Sequence, residues 1–335
     1  MSKPNNNFNR PAKYNLWVAV FVLIAMGTVG LFYYASQKVS YVWRWNRVPM
    51  YFYYLDTIEM RAEVDGEVKE ITTRGDRSLV LIEGMGDEQE TLDVPTAGLG
   101  VSRGDLISPG DVVASYEEWK VGILLKGMWM TLKVSVVATL VGVLIGIFGG
   151  LARLSSNPAL KWTTITYVEL IRGSPLLVQI LIWYFVLGTL INDVLSTAGF
   201  SPIPEFWYAV ASLAFFAGAY VTEIVRAGIQ SIHRGQTEAA RSLGMTYGQS
   251  MWHIILPQAL RRILPPLAGQ FISLIKDSSL LGMIAIRELT KATREVVTTS
   301  LQPFELYLLL GLLYLVLTFT LSMFVQYLER RTQTA

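Results

Sequence analysis

Six ionisable side chains interrupt stretches that are otherwise apolar: Glu169, Arg172, Glu223, Arg226, Lys276 and Asp277. A charge inside an apolar segment is expensive, so it is kept where it pairs with another charge or faces a polar interior. Lys276 and Asp277 are adjacent, so on a helix they point roughly 100° apart and do not pair with each other. Two readings stay open. Either these groups pair between helices near the ends of the apolar segments, or Glu223, Lys276 and Asp277 line a polar path through them. Met283, Trp183, Tyr184 and Phe185 read as packing residues.

Most other chemistry is excluded by composition. There is no cysteine, hence no disulfide, no thiol catalysis and no Cys-ligated metal. The two histidines, His233 and His253, lie twenty residues apart without ligand spacing, so neither a metal nor a cofactor is expected. No Gly-Lys dipeptide occurs, which removes the phosphate-cradling loop that would precede Ser or Thr. No catalytic triad is visible, and the chain is not expected to be an enzyme.

The most patterned polar stretch runs from Gly235 to Pro266 between two long apolar runs. Glu238 to Leu243 are good helix formers apart from Ser242. Thr237 is placed to cap that helix, with Glu238 in its first turn, and Gly244 to end it in a left-handed conformation. Thr246 and Gln249 have capping-box spacing for a second helix, which Pro257 should stop or kink. The expected product is a short exposed helix with a flat, small-residue face at Ala239 and Ala240, suited to docking in a cleft of another protein.

The spelling of this stretch is more specific than its helices. Glu238-Ala239-Ala240, a glycine four residues later and Ile254-Ile255-Leu256-Pro257 resemble the EAA loop of ABC importer permeases. GQTEAARSLGM, IILPQALRRILPPL, the preceding EIVRAGI, the following LIKDSSL, and VELIRGSPLLVQ from Val168 to Gln179 are similar to the polar amino acid permeases in particular. The resemblance spans Gly122 to Arg331. It implies a five-helix type I importer core working as a homo- or heterodimer with a second permease subunit. It further implies cytoplasmic ABC ATPase subunits on the EAA loops and a periplasmic amino-acid-binding protein that delivers the substrate. Glu238, Ala239, Ala240, Arg241, Leu243 and Gly244 would then be the residues that couple to the ATPase.

Composition agrees with a multi-pass membrane protein. Of 335 residues 52% are hydrophobic, and the mean hydropathy is +0.40. Charge is segregated along the chain. Asp56 to Glu118 holds 16 acidic and 5 basic residues, and the rest holds 10 acidic and 23 basic, mostly in short loops where they set orientation. Basic and aromatic residues are not interleaved in the way nucleic acid requires, so lipid and protein are the expected partners.

Taken in order, residues 1–15 form a basic cytoplasmic N-terminus with Lys3, Arg10 and Lys13. Residues 16–35 form an uncleaved membrane helix, too long for a signal peptide and without a small-residue cleavage site. Residues 36–55 are an aromatic interfacial segment. Residues 56–118 alternate apolar and polar residues between Gly-containing turns and read as a small all-β domain on the outer face, with a weak likeness to barrel-sandwich hybrid domains.

Residues 120–331 form the transmembrane domain, with its cytoplasmic loop at 235–266. Lys120 to Lys133 reads as amphipathic. Spans follow at Val134–Ala152, Gly173–Ile191, Phe206–Val225, Leu267–Ile286 and Leu306–Leu328, the last closed by Arg330 and Arg331. Asn192 to Pro204 is an outer loop, and Arg287 to Glu295 an amphipathic surface segment. The whole is an α-helical polytopic protein of about six spans, both termini inside, in a bacterial inner membrane. Two rival classes remain: an ion-coupled carrier or channel using Glu223, Lys276 and Asp277, and a membrane adaptor that works through its β domain.

Overall fold

The computed structural model describes residues 14–84 and 88–333, with side chains as far as Tyr327. The basic residues Lys3, Arg10 and Lys13, and the side chains of Arg330 and Arg331, lie outside the described residues. The chain divides into two compact units, 1–45 and 46–335.

In the first unit, α1 (Tyr14–Lys38) is apolar on every side and buries only Ser36. A helix with no polar face is made to lie in lipid. Beyond it, the Trp43 and Trp45 rings stack at 5.9 Å.

A 3-10 turn, Trp45–Tyr51, leads into the second unit, which begins with six strands: β1 (Tyr53–Arg61), β2 (Gly66–Arg74), β3 (Arg77–Gly84), β4 (Gln89–Pro95), β5 (Leu106–Ile107) and β6 (Val112–Val121). They form an antiparallel ribbon of β1 with β6 and a four-stranded sheet in the order β4-β3-β2-β5. Period-2 alternation puts Val68, Val80, Ile82, Val94, Ile107 and Val113 into one small core. Each such side chain contributes about 1.5–3 kcal/mol by leaving water. The strands reach three residues beyond the sequence boundary on either side, from Tyr53 to Val121.

Lys120 therefore belongs to β6, where its Nζ lies 2.6 Å from Asp56 Oδ2, and no separate amphipathic helix precedes the first core span. One residue, Gly122, separates β6 from α2 (Ile123–Arg153). A Cβ there would sit 2.2 Å from the Tyr51 carbonyl oxygen, so only glycine lets the ribbon turn directly into the helix.

The helical part continues with α3 (Pro158–Gly173), α4 (Leu176–Leu181), a π segment (Ile182–Gly188), α5 (Thr189–Thr197) and α6 (Glu205–Gln230). Then come α7 (Arg234–Ser242), α8 (Tyr247–Ser250), a π segment (Met251–Ile255), α9 (Leu256–Asp277), α10 (Leu289–Ser300) and α11 (Pro303–Gln333). The break between α3 and α4 follows from Pro175, which cannot donate to a helical ladder. Gln179 Nε2 satisfies the Ile171 carbonyl at 2.7 Å and the Ser174 carbonyl at 3.1 Å, and the Ser174 hydroxyl donates to Leu170 at 2.8 Å. The helix past this break runs on to Thr197, so the outer connection shortens to residues 198–204.

The core seam is α2 against α6. Gly142, Gly146 and Gly150 recur every four residues on α2, and a Cβ on Gly146 would lie 2.2 Å from Val221 Cγ1. Where lipid is as apolar as leucine, close backbone approach of this kind replaces the hydrophobic drive.

Among the described residues, five helices are long and apolar enough to cross a membrane: Tyr14–Lys38, Ile123–Arg153, Leu176–Thr197, Glu205–Gln230 and Pro303–Tyr327. The span expected over Leu267–Ile286 is not one of them. Its helix, α9, begins at Leu256, ends at Asp277 and passes into a 3-10 turn, Ser278–Met283. Gln258, Arg261, Arg262, Lys276 and Asp277 along it lower its apolarity.

Pro257 does not stop the second helix of the polar loop. Its missing N–H falls just after the π segment, where Leu256 already donates to the Met251 carbonyl and the ladder is displaced. Arg287 to Glu295 leads into a helix that is amphipathic as expected, but its apolar face packs on the bundle. From Leu289 on it is α10, whose Leu289, Ala292, Thr293 and Val296 are buried; Ala292 meets α2 at Gly127.

Candidate functional site

The polar stretch builds a helix with two defined ends. Thr237 is not its cap. The helix starts four residues earlier, at His233, whose Nδ1 accepts from the Gly235 N–H at 3.1 Å. Glu238 consequently sits in the second turn rather than the first. At the other end Gly244 adopts φ +82. Its N–H donates to the Arg241 carbonyl at 3.0 Å, and the Met245 N–H reaches the Ala240 carbonyl at 3.2 Å. This pair of bonds is the Schellman arrangement, and it closes the last carbonyls of α7.

The chain restarts at once in a capping box. The Thr246 N–H donates to Gln249 Oε1 at 2.8 Å, and the Gln249 N–H to Thr246 Oγ1 at 3.3 Å. The cap at His233 and the turn at Gly244 hold α7 as a rigid projection.

That projection is anchored on one side and bare on the other. Ala240 is buried, with α7 packed on the Met251–Ile255 turn. Gln258 donates to Gln236 at 3.3 Å, and Arg262 Nη1 to the Ser231 carbonyl at 2.6 Å. Glu238, Ala239, Arg241 and Leu243 are exposed, Leu243 to 84%. The two alanines therefore do not share an outward face: Ala239 is offered to a partner and Ala240 seats the helix. Leu243, Gly244, Met245, Gln249 and His253 line an open hollow of about 400 Å³ beside it.

The intramembrane charges separate into distinct groups. Glu223 on α6 pairs with Arg153, in the last turn of α2, and with Arg226 Nη2 at 2.9 Å. Arg153 and Glu223 are each only 17% exposed, so the knot joins the two helices of the core seam in a partly dry place. Arg172 lies 5.2 Å from the Tyr220 ring centroid, a cation–π contact, and Glu169 is exposed. Lys276 is exposed and Asp277 half-buried at the end of α9; neither shares an ion pair with Glu223 among the described residues. Glu223 is thus engaged in ion pairs of its own, while Lys276 and Asp277 stand at the far end of α9. Trp183 packs on Phe215 at 4.8 Å and Tyr184 on Phe185 at 4.8 Å, whereas Met283 is 54% exposed.

A second polar centre lies in the segment read as amphipathic surface. Glu288 is fully buried and caps α10, accepting from the N–H groups of Thr290 at 2.7 Å and Lys291 at 2.8 Å. The Tyr314 hydroxyl donates to it at 2.9 Å from α11, and Thr131 of α2 accepts from the Leu289 N–H at 3.1 Å. The carboxylate therefore ties α10 to α11, and the neighbouring Leu289 N–H ties α10 to α2. Burial pushes the Glu288 carboxyl above the usual range, against those hydrogen bonds. The sequence signal was a glutamate directly before Leu289, with two helix-starting N–H groups after it.

Comparison with known proteins agrees with this architecture. Residues 142–334 match the family described as binding-protein-dependent transport system inner membrane component. A probable glutamine ABC transporter permease of Bacillus subtilis (strain 168) is 40% identical over 207 residues, covering 62% of this chain and 92% of that protein. The glutamine transport system permease of Escherichia coli (strain K12) is 36% identical over 209 residues, with the same coverage.

Among solved structures, that of an amino acid ABC transporter with histidines shares 40% identity at a TM-score of 0.55, covering 62% of this chain and 94% of its own. An inward-facing methionine ABC transporter matches in fold at 20% identity and a TM-score of 0.52, covering 62% of this chain and 95% of its own. Membership decides against the ion-coupled carrier and the adaptor. The chain belongs to the binding-protein-dependent transport system inner membrane components: it is a multi-pass permease subunit of an ABC importer, and ATP hydrolysis belongs to a separate subunit.

Proposed function

We propose that this permease moves polar amino acids into the cytoplasm. The relatives are named for glutamine, glutamate and aspartate, arginine and cystine, which share the amino acid head group and differ in side chain. The subunit works beside a second permease, with two ATPases below and a periplasmic binding protein above. The observation that carries the coupling role is α7, held at both ends and bare at Glu238, Ala239, Arg241 and Leu243. ATPase closure draws two such helices together, and the rigid bundle converts that motion into alternating access.

In this arrangement α9, packed on α6 and α11, is the sixth span despite its charges. The β-rich insert stands in the periplasm, consistent with its acidic excess and with basic loops on the other side. Lys276 and Asp277 remain the candidates for the substrate path. Glu223 is better assigned to the α2–α6 knot.

The test is uptake of labelled amino acids by proteoliposomes holding the permease, its ATPase and its binding protein. ATP-dependent accumulation of a polar amino acid is expected. Accumulation without ATPase, or none for any amino acid, would overturn the reading.

A further inference from the structure

The β1–β6 ribbon has one face whose polarity changes along its length. Opposite residues in the register are Tyr53 with Val121 and Leu55 with Trp119, followed by Thr57 with Glu117 and Glu59 with Ser115. Directly opposed residues, and every second residue along a strand, share a face, so all eight lie on one side. The four nearest α2 are large, apolar and exposed: Tyr53 by 53%, Leu55 by 44%, Trp119 by 69% and Val121 by 43%. The next four are polar or acidic. At about 3.4 Å per residue, the change happens within roughly one lipid head-group depth of the start of α2. The opposite face shows no such gradient; it carries the Lys120–Asp56 pair.

Beside this apolar root is a groove of about 330 Å³, lined by Met50, Tyr51, Tyr54, Val121, Ile123, Lys126 and Arg287. Its two cations stand on different elements. Lys126 lies in the first turn of α2, where the helix dipole disfavours a positive charge, and it has no carboxylate partner among the described residues. Arg287 pairs with Glu295 at 2.9 Å and is 62% exposed, leaving donors free. Tyrosine, tryptophan and snorkelling cations around an apolar floor are the chemistry of a membrane interface.

We propose that the ribbon root is immersed in the outer bilayer interface and that the groove beside it holds the head group of an anionic phospholipid. Lys126 and Arg287 face the phosphate, the Tyr54 hydroxyl donates to its oxygens, and Tyr53, Leu55, Trp119 and Val121 lie against the acyl region. The surface is continuous with α2, whose Trp129 and Leu140 are exposed to the same lipid. Lipid then sets the tilt of the insert relative to the bilayer. The choice of outer leaflet rests on the periplasmic placement of the insert.

The native chain lacks cysteine, so an environment-sensitive fluorophore can be placed by Leu55→Cys or, on the same face farther out, by Glu59→Cys. The full-length protein is reconstituted with phospholipid brominated in its acyl chains. Strong quenching at position 55 and weak quenching at 59 is expected; equal or absent quenching overturns the immersion.

Native mass spectrometry then compares retention of phosphatidylglycerol and phosphatidylcholine by the wild type and by Lys126→Gln, with Arg287→Gln as second variant. Removing one cation should lower the preference for phosphatidylglycerol about fivefold, as expected for a basic group at an anionic surface. Unchanged preference in Lys126→Gln overturns the head-group site. So does unchanged lipid retention with weakened delivery by the binding protein, which would give the surface to a protein partner. Side-specific labelling of Gln89→Cys scores the periplasmic placement separately: inward labelling moves the leaflet without altering the quenching result.

Discussion

The Met245 N–H donates to the Ala240 carbonyl at 3.2 Å, across Gly244 at φ +82. Six residues of chain are closed by that bond, and only a residue comfortable at positive φ permits it. A β-branched residue at 244 is strained by roughly 1–2 kcal/mol or more. Nothing lies within 4 Å of a Cβ there, so the penalty is purely one of backbone conformation. Gly244→Val should therefore insert normally and leave the bundle intact while ATP-driven uptake falls at least tenfold. Uptake in proteoliposomes with added ATPase is the measurement, and wild-type uptake would remove α7 from the coupling path.

The two alanines of α7 make a sharper pair of variants. Ala239→Arg adds bulk and charge on the exposed face and should abolish ATPase binding without lowering the unfolding temperature. Ala240→Leu forces a branched chain into a packed site and should cost about 1–3 kcal/mol of stability. A pull-down of the ATPase, with thermal unfolding in detergent beside it, checks both. Equal behaviour of the two variants would contradict the split of the faces.

Much of this loop was legible because its signals are local: a glycine ending a run of helix formers, and threonine three residues before glutamine. The start of α7 was not, since an imidazole replaces the usual hydroxyl or carboxylate cap and acts from His233. Pro257 does not stop its helix, because it follows a π segment that the sequence does not announce.

In the insert, alternation gave strands but not their ends, since Tyr53 and Val121 owe their pairing to a partner distant in sequence. The glycines at 142, 146 and 150 were a readable small-residue stripe. Their partner helix was not readable from sequence. Glu288 hid in a charged stretch because its burial depends on Tyr314 and Thr131 of other helices.

Glu223 offers a ranking. Glu223→Gln leaves Arg153 and Arg226, two partly buried cations, without a carboxylate, whereas Arg153→Gln leaves Glu223 still paired to Arg226. Breaking a buried pair costs about 3–5 kcal/mol, and the 17% exposure here favours the lower end. The glutamate variant should lose more stability than the Arg153 variant, with substrate selectivity unchanged in both. Altered selectivity in a stable Glu223→Gln would return this residue to the substrate path. The same uptake assay on Lys276→Gln and Asp277→Asn should show changed affinity with ATPase assembly retained.

Sidedness is open to direct chemistry. Ser78 is fully buried, where its hydroxyl lies 2.9 Å from Thr96 Oγ1, so a cysteine there would be silent. Gln89 and Ser242 are both exposed. With an impermeant thiol reagent on intact cells, Gln89→Cys should react and Ser242→Cys should not. The reverse pattern would invert the topology.

Glu288 carries the last prediction. Replacement by alanine removes the acceptor for two α10 N–H groups and for Tyr314, and should cost ~2 kcal/mol or more, seen as loss of α10 packing and a lower unfolding temperature. Glu288→Gln keeps one carbonyl oxygen and should fall between alanine and wild type. The pH dependence has a definite sign. Burial raises the folded-state pKa above that of the unfolded chain. The protonated carboxyl is therefore the form the fold prefers. Its contribution is fully present at low pH and is lost as pH rises through the folded value. Measured against the non-titrating Glu288→Gln, the wild type should lose relative stability as pH is raised. A wild type that gains on the glutamine variant with rising pH would mean that the three donors outweigh burial, and that the carboxylate rather than the acid is what joins α10 to α11.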